Sequence, residues 1–468
     1  MRTPSSDAPL PQPTRSLARA AVPLRSLTAD APTADLQPLR RVLDGVRIVG
    51  LGEATHGTRE FFQLKHRLLA FLVAELGYTA LAMEASESAA PAVDAYVRHG
   101  VGSAAEAVAG LGFWTWRTRE VLSMVTWMRT YNSGRPASEQ VRFLGIDPQQ
   151  CGPSLTALGA LLPRLPDPSR AAALLTDLRV LDGAQPGSRP DPAQRLMRQA
   201  EELADLVRPY DTDSDADHHP VRHAARLVRA ADLVTRPRQH TDPEQTLFAA
   251  RDRYMADALE AELSDAPAAK IALWAHNGHI GTTRYGAAVR PLGSHLRDRH
   301  GDAYYALALL FGSGAFRARR TLPGPWQGRR ARTRNARNSR TTGNSPDPKV
   351  PTHPLGPPAP GTVEAQLAAA TPADHFLDLR TAPEPVRAWA AVPHPHRSFG
   401  ALVPRWTYQL HHTPVVLTDT YDGLAYVATS TPSEPFARPT AKGQQTQDGI
   451  FSVRPGPSRT PRRPRTGR

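Results

Sequence analysis

The sequence predicts an α/β fold: a largely parallel central sheet with flanking helices and an inserted helical subdomain. Three observations carry this expectation. From residue 48 onward, short aliphatic runs alternate with helix-period segments, the pattern of parallel strands joined by crossover helices. One long stretch, 152–263, holds no convincing strand and has helical character throughout. Four strand candidates are each followed by a single ionisable residue, as expected where strand carboxyl ends share one edge of an open sheet.

Taken in order, Ile48–Leu51 is the first strand and runs into a glycine turn, Gly50-Leu51-Gly52. Thr58–Leu76 is a helix, because Phe61, Leu64, Leu68, Leu72 and Leu76 recur at three-to-four spacing, and Gly77 ends it. Thr79–Met83 is the second strand and closes a βαβ unit. Glu120–Tyr131 is a helix and Val141–Ile146 the third strand. Ile271–Ala275 and Ala303–Leu310 are the fourth and fifth strands, and Phe376–Leu379, Val415–Leu417 and Leu424–Ala428 are further strand candidates.

Composition sets the domain limits. Residues 1–34 are rich in Pro, Ala and Ser and are expected to be a disordered tail. Residues 35–317 form the α/β domain, with 152–263 the helical subdomain within it. Residues 318–360 are a basic Pro/Arg-rich insertion, expected to be disordered; 361–435 are the C-terminal part of the α/β domain; 436–468 are a disordered basic tail. The net charge of +13 is local: residues 317–349 carry +9 and 454–468 carry +6, so the rest of the chain sums to −2. Only Trp326 could stack on a base in 318–360, which argues against a nucleic-acid partner. The single cysteine, Cys151, excludes an intrachain disulfide framework and suits a reducing compartment. The first 30 residues lack an apolar signal core, and no apolar run is long enough to cross a bilayer, so a cytoplasmic protein without a membrane partner is expected.

The residues that carry chemistry sit at the predicted strand ends. Glu53 follows the first strand, Glu84 the second, Asp147 the third and His276 the fourth, with His56 and His279 each three residues beyond a partner. Singly, such residues are commonly caps or turn residues, and Asp147 before Pro148 is expected to be a turn initiator. Jointly they suggest a site. Gly50 and Gly52 begin like a dinucleotide fingerprint, but position 55 is Thr where a third glycine belongs, and Glu53 would repel a pyrophosphate. No cofactor is therefore expected. His and carboxylate groups suit a metal, yet no H-E-x-x-H helix or other familiar ligand spacing is present, and no metal is expected. A G-x-S-x-G elbow is absent, and Cys151 has no neighbouring His in sequence. General-base activation of water by an imidazole held by carboxylates needs no missing part. The helix after the turn would offer its positive end to a carboxylate or developing oxyanion. Lys65, one of four lysines among 57 basic residues, lies on that helix and leans toward the site as a substrate-binding candidate.

The segments GLGEATHGTREFFQLKHRLLAFLVAELGYTALAMEAS, FWTWRTREVLSMVTWMRTYN and LWAHNGHI, with the later GTVEAQLA, LDLR and YDGLAYVATSTP, resemble the erythromycin esterase family. The resemblance spans roughly residues 35–317 and 361–435. It implies metal-independent hydrolysis of the ester in a macrolide lactone, and with it a role in antibiotic resistance. It also implies His56 as the base that activates water, with Glu53 and Glu84 positioning that histidine and the water. His276 and His279 would be a second pair able to polarise the lactone carbonyl, and Lys65 stands where some members carry Arg. PLGSHL (291–296) departs from the family's methionine-glycine pair, although Gly293 remains, and 318–360 is longer and more basic than usual at that junction. A non-macrolide ester, a step in polysaccharide biosynthesis and a metal-dependent hydrolase are the alternatives.

Overall fold

The computed structural model describes residues 12–165, 167–210, 220–286, 288–321 and 350–437. Six parallel strands form the body of the main sheet. Their spatial order is β4 (Arg142–Asp147), β3 (Ala80–Ser86), β5 (Ile271–Trp274), β2 (Ile48–Leu51), β6 (Tyr304–Arg317) and β13 (Gly423–Ser430). Beyond β13, β9 (His375–Asp378) and then β1 (Val22–Pro23) add antiparallel, and β8 (Thr352–Leu355) pairs antiparallel with the far end of β6. Two small ladders complete the described strands: β7 (Arg319–Thr321) with β11 (Leu402–Pro404), and β10 (His394–Arg397) with β12 (His412–Val415). All residues of β2, β3 and β5 are buried, as befits strands covered on both faces.

The strand candidates at 48, 79, 141, 271, 303, 376 and 424 all appear as strands, with ends shifted by one to a few residues except β6, which runs on to Arg317. One connection differs. The first two strands are not neighbours; β5 lies between them, with Ile271 opposite both Ile48 and Ala80. The strand made after the helical region is thus central, because its IALW run is wholly apolar and fills the most buried slot. The Val415–Leu417 candidate is split: the strand ends at Val415, and Leu417 opens a short helix, Leu417–Thr420.

Helix α3 (Arg59–Leu76) follows β2 and is buried on most of its circumference, then stops at Gly77 in the left-handed region (φ 71). Helices α4 (Ala90–His99), α5 (Ala104–Gly110) and α6 (Arg119–Asn132) lie between β3 and β4 in sequence. Helices α7 (Gly152–Leu161), α8 (Pro168–Leu178), α9 (Arg195–Val207) and α10 (Pro220–Thr235) enclose their own core of Leu155, Leu174, Leu203, Leu227 and neighbours. Helix α11 (Leu247–Asp265) falls within the expected helical span, but its Met255, Ala256, Leu259 and Leu263 join the main core. Helices α12 (Asn277–Ile280) and α13 (Leu292–His300) follow β5.

The tail expected over 1–34 needs correction for residues 12–34. Helix α1 (Gln12–Ala20) buries Leu17, β1 pairs with β9, and Arg67 binds the Ser26 carbonyl at 2.6 Å. One buried leucine and an edge-strand dipeptide dock this polar segment, and composition conceals both. Residues 1–11 lie outside the described residues. The insertion expected to be disordered over 318–360 begins and ends in ordered chain, β7 and β8; its residues 322–349, like 438–468, lie outside the described residues.

Residues 431–435 clamp the start of two helices. Arg59 N donates to Thr431 O (2.9 Å), Ser433 N to Gly57 O (3.0 Å) and Arg119 N to Glu434 O (2.7 Å), with bridges Thr58–Pro432 and Thr118–Pro435.

Candidate active site

The turn after β2 sits in a notch, because β6 runs on after β2 ends and Gly52 N donates to Leu307 O at 2.8 Å. Its glycines serve close packing. A Cβ on Gly52 would collide with Asn277 Oδ1, one on Gly57 with the Arg317 backbone, and one on Gly50 would lie 2.8 Å from the Tyr304 hydroxyl. Asn277 ties the strand ends together: its N–H donates to Glu53 O (2.9 Å), and its side chain pairs with the backbone of Leu309 (3.0 and 3.2 Å).

Glu53 has no exposed surface. One of its oxygens accepts from His56 Nδ1 at 2.7 Å and the other from Lys65 Nζ at 2.8 Å. With Nδ1–H given to the carboxylate, His56 keeps Nε2 as a lone pair, and no described residue hydrogen-bonds it. The imidazole is 8% exposed, with the edge of Trp116 at 5.5 Å and the His276 ring at 5.2 Å between centroids.

Lys65 lies beneath Glu53. It has no exposed surface, also donates to Ala275 O at 3.3 Å, and stands 4.6 Å from the Trp274 ring centroid. Burial pulls its ammonium down to about 8 against the pull of Glu53. This corrects the substrate-binding expectation: an ammonium spent on Glu53 under the floor of the site cannot reach a ligand. At the start of α3, Thr431 O takes the Arg59 N–H, and the Glu60 carboxylate accepts from the Thr431 N–H and hydroxyl.

Glu84 lies in β3, where the register shifts between Met83 and Ser86. Its Oε1 accepts from Arg251 Nη2 (2.6 Å) and faces His279 Nε2 (3.3 Å), and its Oε2 accepts from His276 N–H (2.9 Å). Burial alone would raise its pKa, but His279 and Arg251 outweigh it and hold the carboxyl well below the usual range. Trp116 Nε1–H fixes the same residue's carbonyl at 2.9 Å. Asp147 does initiate a turn, accepting from Gln149 N–H at 3.1 Å, and it also belongs to the site: Arg251 donates to it at 2.8 and 3.3 Å.

The second histidine pair is present, but its nitrogens are spent. His276 caps α12, with Nδ1 accepting from Gly278 N–H (3.0 Å) and Nε2–H donating to Phe399 O (3.1 Å). Burial drives its pKa down to about 3, so it is neutral. It therefore has no free donor for a carbonyl, which corrects that expectation for His276. His279 binds Asp252 through Nδ1 (2.6 Å), and its Nε2 lies 2.9 Å from Arg251 Nη1. Burial opposes its charge, but Asp252 and Glu84 prevail and raise it to about 10. Asp252 also accepts from Leu292 N–H (2.9 Å) and the Tyr285 hydroxyl (2.7 Å).

Arg251 and Asp252 escaped the sequence reading. A signal exists: Asp252 falls in register with the buried Met255, Ala256 and Leu259 of α11, and a charge on an apolar stripe marks a buried partner.

Chemically, then, one unpartnered imidazole nitrogen stands beside buried ion pairs, Glu53 with Lys65 and Glu84 and Asp147 with Arg251. Among the described residues no three His, Cys, Asp or Glu side chains are grouped as ligands of one metal ion. Cys151 is buried, and burial and then Asp182 push its thiol up to about 12, which makes it a poor nucleophile. A groove of about 610 Å³ between α3 and α6, lined by Gln63, His66, Glu120 and Trp127 among others, includes none of Glu53, His56, Lys65, Glu84, Asp147, Arg251, His276 and His279. No helix among the described residues is long and apolar enough to cross a membrane.

The chain is similar to several known proteins. The chain is 27% identical over 310 residues to an erythromycin esterase type II of Escherichia coli, covering 60% of this chain and 72% of that protein. It is 23% identical over 441 residues to a putative hydrolase of Bacillus subtilis (strain 168), covering 86% and 88%. Two solved structures share its fold. One, a succinoglycan biosynthesis protein, has a TM-score of 0.72 at 21% identity, over 91% of this chain and 98% of that one. The other, an erythromycin esterase mutant in its open conformation, has a TM-score of 0.57 at 17% identity, over 90% and 97%. The family model described as erythromycin esterase matches residues 73–430, a span that holds Glu84, Asp147, Arg251, His276 and His279 and begins after Glu53 and His56. With more than half its length matched, the chain belongs to the erythromycin esterase family.

Proposed function

We propose that the protein hydrolyses a carboxylic ester, with a macrolide-type lactone as the substrate class and His56 as the base. The observation that carries this reading is the polarity of His56: a buried carboxylate takes Nδ1–H, and no described residue hydrogen-bonds Nε2. Water bound at Nε2 gives its proton to the imidazole as its oxygen attacks the carbonyl carbon, and the carbonyl π electrons move to oxygen. Glu53 stabilises the imidazolium that forms, and Lys65 donates to its other oxygen and holds it in place. The tetrahedral intermediate then collapses. The ester C–O bond breaks, the leaving oxygen takes the proton from His56 Nε2, and a carboxylic acid and an alcohol result. Glu84, held ionised, supplies a second negative charge close to that imidazolium.

Mass spectrometry of erythromycin incubated with the protein tests the substrate: a product heavier by one water is expected, and an unchanged macrolide overturns the macrolide assignment. A non-macrolide ester is the second reading. Relatives and neighbours carry the names putative hydrolase and succinoglycan biosynthesis protein as well as erythromycin esterase, and one fold serves many substrates. A panel of lactones and simple esters separates the two.

A further inference from the structure

Four buried polar atoms without hydrogen-bond partners belong to residues gathered around Gly57: Thr55 Oγ1, Thr58 Oγ1, Ser433 Oγ and Arg317 Nη1. The backbone brings these segments together, since Arg317 N and Ser433 N both donate to Gly57 O at 3.0 Å, and Thr58 bridges to Pro432. Gly57 directly follows His56.

Arg317 is the anomaly. It is only 9% exposed, yet its side chain makes no hydrogen bond or ion pair among the described residues. Its guanidinium lies 5.4 Å from the ring centroid of Trp114, two residues from the Trp116 that edges His56. Glu120 is the acid whose charge reaches it, but that carboxylate is turned elsewhere, accepting from Glu434 N–H at 3.1 Å and facing Arg59 at 3.5 Å. Arg117 adds repulsion, and burial lowers the pKa of the group. A buried cation whose only counter-charge makes no hydrogen bond to it is costly. A guanidinium can only donate, and hydroxyls can join it in donating, so the group that suits this set is an anionic oxygen pair.

We propose that Arg317, with the hydroxyls of Thr58 and Ser433, forms a carboxylate-recognition subsite beside the His56 turn. It takes an acidic group carried by the ester or the carboxylate that hydrolysis releases. Its place in the reaction rests on the proposed ester hydrolysis; its existence as a binding site does not.

Binding is therefore read first, by isothermal titration of the full chain with butyrate, glutarate and the neutral isostere butyramide. Carboxylates are expected to bind and butyramide not, and Arg317→Met is expected to weaken carboxylate binding about tenfold to a hundredfold, the worth of a charge-assisted pair. Should Arg317→Met fail to fold, Arg317→Lys carries the comparison, since it keeps the charge and loses the fork, with a loss nearer tenfold expected. Equal binding of butyrate and butyramide, no carboxylate binding, or wild-type affinity in the variants overturns the subsite.

Turnover then assigns the source. If kcat/KM for p-nitrophenyl hemiglutarate relative to p-nitrophenyl butyrate falls at least tenfold in the variant, the acid is borne by the substrate. If that ratio holds while inhibition by butyrate is lost, it is the product. Carboxylate binding with no hydrolysis of any ester leaves the subsite standing and fails the hydrolase reading.

Discussion

Replacing Arg251 with Met removes the one cation that joins Glu84 to Asp147. In the wild-type protein a single Nη2 donates to both carboxylates, at 2.6 and 2.8 Å, with a third contact from Nε to Asp147 at 3.3 Å. All three side chains are at least 87% buried, so water screens little of the interaction. Breaking a buried pair by deleting one partner costs about 3–5 kcal/mol, a large part of a typical domain's ~5–15 kcal/mol. The cost arises because two carboxylates are left facing each other in low dielectric. Relief must follow when one charge is then removed. Asp147→Asn alone is expected to destabilise by about 1–3 kcal/mol, since it leaves Arg251 under-paired, but to restore about 1–2 kcal/mol in the Arg251→Met background. The cycle should show a coupling of about 2–5 kcal/mol, the difference between the effects of Asp147→Asn in the two backgrounds. Urea unfolding of the four proteins measures it. Additivity within about 0.5 kcal/mol would refute the claim that Arg251 exists to balance these acids.

Other predictions concern the base and its surroundings. His56→Ala should lower kcat for the cleaved ester by about 10²–10⁴-fold or more, with the fold retained by circular dichroism; substantial turnover would mean that another group activates water. The raised pKa of His279 has a signed consequence. The folded state holds its proton more tightly, so the stabilisation is fully present below the ordinary value of 6.5 and is lost as pH rises through about 10. Melting temperature should therefore fall across that window, with a slope worth at most ~1.4 kcal/mol per pH unit from this group. Asp252→Asn should flatten the slope, and an equally steep one would contradict the assignment. Incubation with excess chelator should leave ester hydrolysis intact; loss of activity that added metal restores would favour the metal-dependent alternative.

The sheet was readable because its strands are short aliphatic runs whose burial comes from their neighbours on both faces, and the turn at Glu53 and His56 was readable because it departs from a phosphate loop. Parallel strands bring their ends to one edge whatever their order, so Glu53, Glu84, Asp147 and His276 could be placed together although β5 falls between β2 and β3. What stayed hidden depends on long-range packing. Arg251 lies 104 positions from its partner Asp147, and nothing local marks an arginine that bridges two carboxylates. His276 looked like a reagent because its sequence cannot show that Gly278 N–H and the Phe399 carbonyl consume both nitrogens. Lys65 leaned toward the site as helical geometry requires, but depth decided its role, and depth comes from Trp274 and Ala275 more than 200 residues away.

The clamp formed by residues 431–435 sets the time at which the enzyme can come into being. The turn at Gly57 emerges early in synthesis, yet the backbone groups that hold it belong to a segment made some 375 residues later. Such distant contacts are slow to form and are repaid only once the loop between them is closed. A growing chain can gather its first strands and helices, but the opening around His56 takes its final shape only when β13 has joined the sheet. Competence is thereby tied to synthesis through residues 431–435, and a nascent or truncated molecule ending before Thr431 would carry His56 and Glu53 on an unsecured turn.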